Sequence, residues 1–115
     1  MTVGIIGILQ FAIDGVTAQQ SAVANNVANW QTPGYTGTEV SFESSLANAL
    51  GVPGTQTAQV TSAPSLAAPA TDGNNVRLSD EIVAAQKDTL QYQTITESLN
   101  AQFRLVQGAT GGSYQ

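Results

Sequence analysis

The chain has 115 residues, enough for one domain, and only 10% of them are charged, against roughly 25% in ordinary soluble domains. Gln, Asn, Thr and Ser supply 41 residues instead, so little like-charge repulsion protects the surface from self-association. With three basic residues and a net charge of −5, nucleic acid and direct lipid binding are not expected, because both need clustered Lys and Arg. With no Cys and no His, disulfides and the commonest zinc sites are excluded.

The first element is read as a helix from about residue 3 to 29. Ile6, Leu9, Ile13, Val16, Gln20, Val23, Val27 and Trp30 recur at spacings of three and four, which places them on one stripe. Gln10, Asp14, Thr17, Ser21 and Asn25 take the opposite face. The apolar start lacks a basic leader, and Asp14 interrupts it well short of the roughly 20 residues that span a bilayer. It is read as a helix of the mature chain.

The helix must stop before Pro33, since proline pushes the preceding residue out of the α region. Pro33-Gly34 fits the centre of a type II turn, Asn26 and Asn29 suit local capping of a fraying helix end, and Tyr35 can fold back on the last turn. Residues 48 to 76 follow, with Pro53, Pro64, Pro69, several glycines and few large apolar side chains. They read as a long irregular excursion with room for a short β-hairpin around Thr55 to Ser62.

A second helix is predicted from about residue 79 to 107. Leu78, Ile82, Ala85, Thr89, Tyr92, Thr96, Leu99, Phe103 and Val106 alternate spacings of four and three. Ser79 serves as N-cap, Leu78 staples to Val83, Asp80 and Glu81 suit the positive end of the dipole, and Gly108, Gly111 and Gly112 stop the helix. The fold class is all-α: terminal helices paired as a coiled-coil-like hairpin around the excursion. As one discontinuous helical domain it divides into 1–30, 31–78 and 79–115. Two single-striped helices bury too little to offset their ordering entropy, so the stripes are expected to find partners in other subunits. The residues assigned to that packing are Leu9, Ile13, Val16, Val23, Val27, Trp30, Ile82, Tyr92, Leu99, Phe103 and Val106.

The density of asparagines before the turn exceeds what a helix end requires. Asn25, Asn26, Ala28, Asn29, Thr32, Pro33, Gly34 and Tyr35 resemble the N-terminal signature of flagellar axial proteins, in which an Asn-Asn-x-Ala-Asn run leads to Thr-Pro-Gly-Tyr. Thr36 stands where the family usually has a basic residue. A second block, "DGNNVRLSDEIV" with Tyr92, Gln93 and Phe103 downstream, resembles the C-terminal half of proximal rod proteins, and "VSFESSLANAL" resembles the segment after their turn. These blocks cover about two thirds of the chain, and the middle does not match.

The resemblance implies a structural subunit of the basal-body rod, which spans the periplasm, transmits torque and walls the export channel. It also implies helical self-assembly and passage through the flagellar type III exporter. The implied partners are copies of the chain, other rod subunits, and the adaptor and membrane ring at the base. Related exported subunits dock at the exporter gate through a Phe followed four positions later by an aliphatic residue, a spacing that Phe42 and Leu46 have. The alternative for these two is simple packing against the helix pair.

No enzyme is expected. No His, Cys or Lys stands ready to activate Ser or Thr, and Glu39 and Glu43, four apart, read as a solvated face. No cofactor and no metal are expected either: "DGNNVRLSDEIV" has Arg77 and Val83 where a calcium loop needs Gly and Glu. The competing class is a small helical-hairpin binding module, such as a type III secretion chaperone or adaptor, which has no need of the Asn-rich Pro-Gly signature.

Overall fold

The computed structural model describes the backbone of residues 4–51 and 59–111, with side chains for 4–47 and 59–108. Its elements are α1 (Ile5–Ala28), β1 (Thr38–Ser41), α2 (Glu43–Gly51), β2 (Thr61–Pro64) and α3 (Leu78–Gly111). Helices α1 and α3 lie together as the expected hairpin, with β1 and α2 packed on α1. The molecule measures 65 × 30 × 15 Å. Its radius of gyration of 18.1 Å exceeds the value of about 13 Å for a compact domain of this length.

Several details depart from the sequence reading. The short two-stranded unit expected around Thr55 to Ser62 is present, with its second strand, β2, overlapping that range at Thr61 and Ser62. Strand β2 pairs antiparallel with β1, Thr38 opposite Pro64 and Ser41 opposite Thr61, and residues 55–58 lie outside those described. Helix α2 was hidden because its nine residues carry too short an apolar pattern to distinguish helix from strand. Helix α3 begins at Leu78, so Ser79 sits in its first turn rather than at the cap. The Arg77 carbonyl accepts the first bond, from the Glu81 N–H, at 3.1 Å. That shift also removes the Leu78–Val83 staple, which needs Leu78 outside the helix. Gly108 lies within α3, which runs on to Gly111; one glycine costs about 1 kcal/mol against Ala, too little to halt a propagating helix.

The core is small. Among the described residues the buried apolar side chains are Ala12, Val16, Ala22 and Phe42, with Phe11, Leu46 and Ile95 packed around the cluster. Phe42, at the junction of β1 and α2, lies over Gly15, where a methyl group would fall into its ring. The Phe11 ring meets it edge-on, with centroids 6.0 Å apart.

The inner faces of the helices are rotated by one residue from the apolar stripes. The inward line of α1 runs through Ala12, Gly15, Gln19, Ala22 and Asn26, and that of α3 through Glu81, Ala84, Asp88, Gln91 and Ile95. Small and amide side chains let the helices and β1 approach closely. Apart from Val16, which is buried under Phe42, the bulky aliphatic residues one position further on are left at the flank.

Candidate functional site

The two sequence blocks that carry the resemblance meet in space. After α1, Asn29 caps the helix end: its amide Nδ2 donates to the Asn25 carbonyl at 2.9 Å, and its Oδ1 accepts from the Thr32 hydroxyl at 3.2 Å. The turn that follows is as predicted. Gly34 has φ +75°, and the Tyr35 N–H donates to the Thr32 carbonyl at 3.2 Å. On the other block, the Asp72 carboxylate accepts from the Asn74 N–H at 3.0 Å and Gly73 takes φ +84°. These turns sit back to back: the Gly34 N–H donates to the Asp72 carbonyl at 2.9 Å, and a Cβ on Gly73 would lie 3.2 Å from the Gly34 Cα.

Three buried asparagines lock this junction, at 3%, 4% and 8% exposure for Asn26, Asn74 and Asn75. The Asn26 Nδ2 donates to the Thr38 carbonyl at 3.0 Å and to Glu81 Oε1 at 3.1 Å. Its Oδ1 accepts from the Thr38 N–H at 2.9 Å and from the Tyr35 hydroxyl at 3.4 Å. The Asn74 Nδ2 donates to the carbonyls of Asn29 and Thr32, both at 2.8 Å, while its Oδ1 accepts from the Val76 N–H. The Asn75 Oδ1 accepts from the Gly37 N–H at 2.8 Å, and its Nδ2 donates to the carbonyls of Ser65 and Ala67. An amide offers donors and an acceptor in one plane, so it can replace a peptide group that the irregular chain lacks. The asparagine density asked for by the sequence thus has a physical cause: buried irregular backbone must be hydrogen-bonded.

Helix α1 also completes the open edge of β1. Asn26 bonds both backbone groups of Thr38, and two turns earlier the Gln19 Nε2 donates to the Val40 carbonyl at 3.2 Å and to Glu43 Oε1 at 2.7 Å. Two amides at heptad spacing thus serve as a third strand for a two-stranded sheet. Sequence reading placed Asn26 near a helix end and Asn74 and Asn75 in the second block, but it had no signal for Gln19 or for the distant partners of any of the four.

Beside this junction, α1, β1 and the start of α3 enclose a cleft of about 310 Å³ bordered by Glu39, Asp80, Glu81 and Asp88, with Lys87 at its edge. Burial pushes the Glu81 carboxyl up, the Asn26 hydrogen bond opposes this, and the charges of Asp80 and Glu39 add to it. Burial also pushes Asp88 up; Lys87 opposes it and Glu43 adds to it. Burial raises Glu43 too, but hydrogen bonds from the Gln19 amide and from the N–H groups of Glu43 and Phe42, with Lys87 nearby, outweigh it and hold the group below its usual value. Among the described residues no three His, Cys, Asp or Glu converge as a metal would require, and no helix is long and apolar enough to cross a membrane.

The residues assigned to subunit packing divide in three. Val16 is fully buried inside this chain beneath Phe42 and is a core residue, because the turn after α1 folds β1 and α2 across it. Leu9, Ile13, Val23 and Leu99 are half-buried. Val27, Trp30, Ile82, Tyr92, Phe103 and Val106 are exposed, by 36% to 50%, and Val83, Leu90 and Leu105 are more open still. Phe42, the first residue of the candidate docking pair, is 3% exposed and packs with Leu46.

Residues 9–36 match the family model described as "Flagella basal body rod protein". No curated protein matches the chain significantly. The matched stretch takes in most of α1, the type II turn and Tyr35. Over this quarter of the chain, the sequence is similar to flagellar basal-body rod proteins.

Proposed function

We propose that the chain is a structural subunit of the proximal rod, assembling helically with copies of itself and with neighbouring rod subunits as the rod crosses the periplasm. The carrying observation is the pairing of a rod-family α1 with an α3 whose large apolar side chains stay uncovered. Ile82, Val83, Leu90, Tyr92, Phe103, Leu105 and Val106 are all at least 41% exposed. A chain with four buried apolar side chains among its described residues and an apolar helix flank in water is suited to completion by neighbours. The resemblance of the Asp72–Val83 block to proximal rod proteins favours the base of the rod, where an adaptor seats it on the membrane ring.

Fractionation tests this reading. An epitope-tagged chain should co-purify with intact basal bodies of its own bacterium, and its deletion should stop rod assembly before the distal segments form. A chain that stays in the cytoplasm, bound to another export substrate, would identify a chaperone instead.

The Phe42–Leu46 pair fits export only before folding, because the finished subunit buries Phe42. Docking at the exporter gate therefore requires the chain to arrive unfolded. Phe42→Ala should reduce secretion of a variant already held unfolded by a second substitution. Unchanged secretion there would leave Phe42 as a packing residue alone.

A further inference from the structure

The cleft beside the asparagine junction is built to receive positive charge. Four carboxylates border it against one lysine. Asp88 is 3% exposed, yet its Oδ2 is buried with no hydrogen-bond partner among the described residues, and the same holds for the Oε1 of Gln19, which lines the same cleft. Both are acceptors, so what is missing is a donor. A buried carboxylate without a counter-charge is costly. No metal-holding cluster exists among the described residues, whereas a guanidinium carries five N–H donors in a planar fork and can meet several spread-out acceptors together.

We propose that this cleft is a subunit-docking site that takes the guanidinium of Arg104 from a second copy of the chain, in a head-to-tail contact. The proposal rests on the rod-subunit reading and names the partner group within it.

Charge placement selects Arg104. The chain has three basic residues. Lys87 already borders the cleft, and Arg77 immediately precedes α3 at the same end of the molecule. Arg104 is exposed and forms no ion pair among the described residues. It lies about 24 Å beyond Asp88 along α3 at 1.5 Å per residue, too far to enter its own cleft. Helix α3 is ten residues longer than α1 (34 against 24), and the Asn26–Glu81 bond aligns the two near the start of α3. Counted from that bond, Arg104 falls about level with the start of α1, at the end of the molecule away from the cleft. A contact joining opposite ends of two copies uses different surfaces on each, so it does not close on itself and repeats along an axis.

The test uses charge reversal and a cysteine pair, which the cysteine-free chain permits. Arg104→Glu and Asp80→Arg, each alone, should weaken association between copies at least tenfold in sedimentation, and the double variant should recover most of it. Both positions are exposed, so circular dichroism of each variant should match the parent. Under mild oxidation Asp80→Cys with Arg104→Cys should give a ladder of covalent oligomers, and Asp14→Cys with Arg104→Cys should not. Association of Arg104→Glu equal to the parent, no recovery in the double variant, or equal ladders from both cysteine pairs would overturn the proposal. Cross-linking of Asp80→Cys only to a different rod subunit would overturn the second copy as occupant. If copies of the parent chain do not associate at all, this contact fails while rod membership still stands or falls on basal-body fractionation.

Discussion

The two ends of the helix pair solve opposite problems. At the turn end, Asn26, Asn74 and Asn75 are buried and their side-chain amides are hydrogen-bonded, so irregular backbone is tied down within the chain. At the far end, α3 leaves Phe103, Leu105 and Val106 exposed. Directional hydrogen bonds fix one geometry, while apolar exposure leaves free energy to be gained by whichever neighbour covers it. The first region makes a subunit of definite shape, and the second makes that subunit incomplete.

The sharpest way to break this contrast is to remove its pivot. Phe42→Ala should destabilise the subunit by about 3–5 kcal/mol, seen as a lower urea midpoint in concentrated protein, since Phe42 joins α1, α2 and α3 at the core. A loss under 1 kcal/mol would show that the turn end holds without it. Next, Asn26→Asp keeps the shape but replaces the donor that serves the Thr38 carbonyl and Glu81 with an acceptor. It should cost about 2–3 kcal/mol, whereas Asn25→Asp, on the exposed face, should cost under about 0.5 kcal/mol. Equal effects would mean that burial of the amide is incidental.

A smaller effect, of opposite sign, comes from the cleft. Asp88 and Glu81 have folded pKa values raised above their unfolded ones. Their cost is absent at low pH and appears as pH rises from the ordinary carboxylate range, about 4, through the raised values. Glu43, lowered, contributes stability that is lost only as pH falls below its ordinary value. Asp88→Asn should therefore stabilise the separate subunit at neutral pH, by about 1.4 kcal/mol for each pKa unit removed, and flatten the fall in stability above pH 4. Urea titration across pH checks this, and a destabilised variant would show that the charge is already compensated.

The smallest effect on the subunit belongs to the far end. Phe103→Asp should change subunit stability by under about 0.5 kcal/mol yet abolish association, where it would bury an unpaired charge. Dilution should likewise reduce helix content by circular dichroism, most of all in α3. A cooperative, concentration-independent melt with full helix content at micromolar protein would remove the distinction between the two ends.

Local rules determined much of this molecule. The spacing of Ile6 to Trp30 and of Leu78 to Val106 was enough to identify two long helices, because 3.6-residue periodicity is a property of the chain itself. Pro33-Gly34 specified its turn through fixed φ and a tolerated positive φ. Asn29 could be assigned to a helix end because its partners are four residues back and three ahead. Tertiary structure alone decided which face of each helix turns inward. Periodicity marks a stripe, but small residues and amides occupy the close contact, and the bulkier stripe lies one residue away. It alone revealed that Thr61–Pro64 pairs with Thr38–Ser41 across α2, since a four-residue strand carries too little pattern to name its partner. And it alone brought Asn75 to Gly37 and Asn74 to Asn29: a hydrogen bond between residues about forty positions apart leaves no local trace, because its energy exists only when the fold has closed the loop between them.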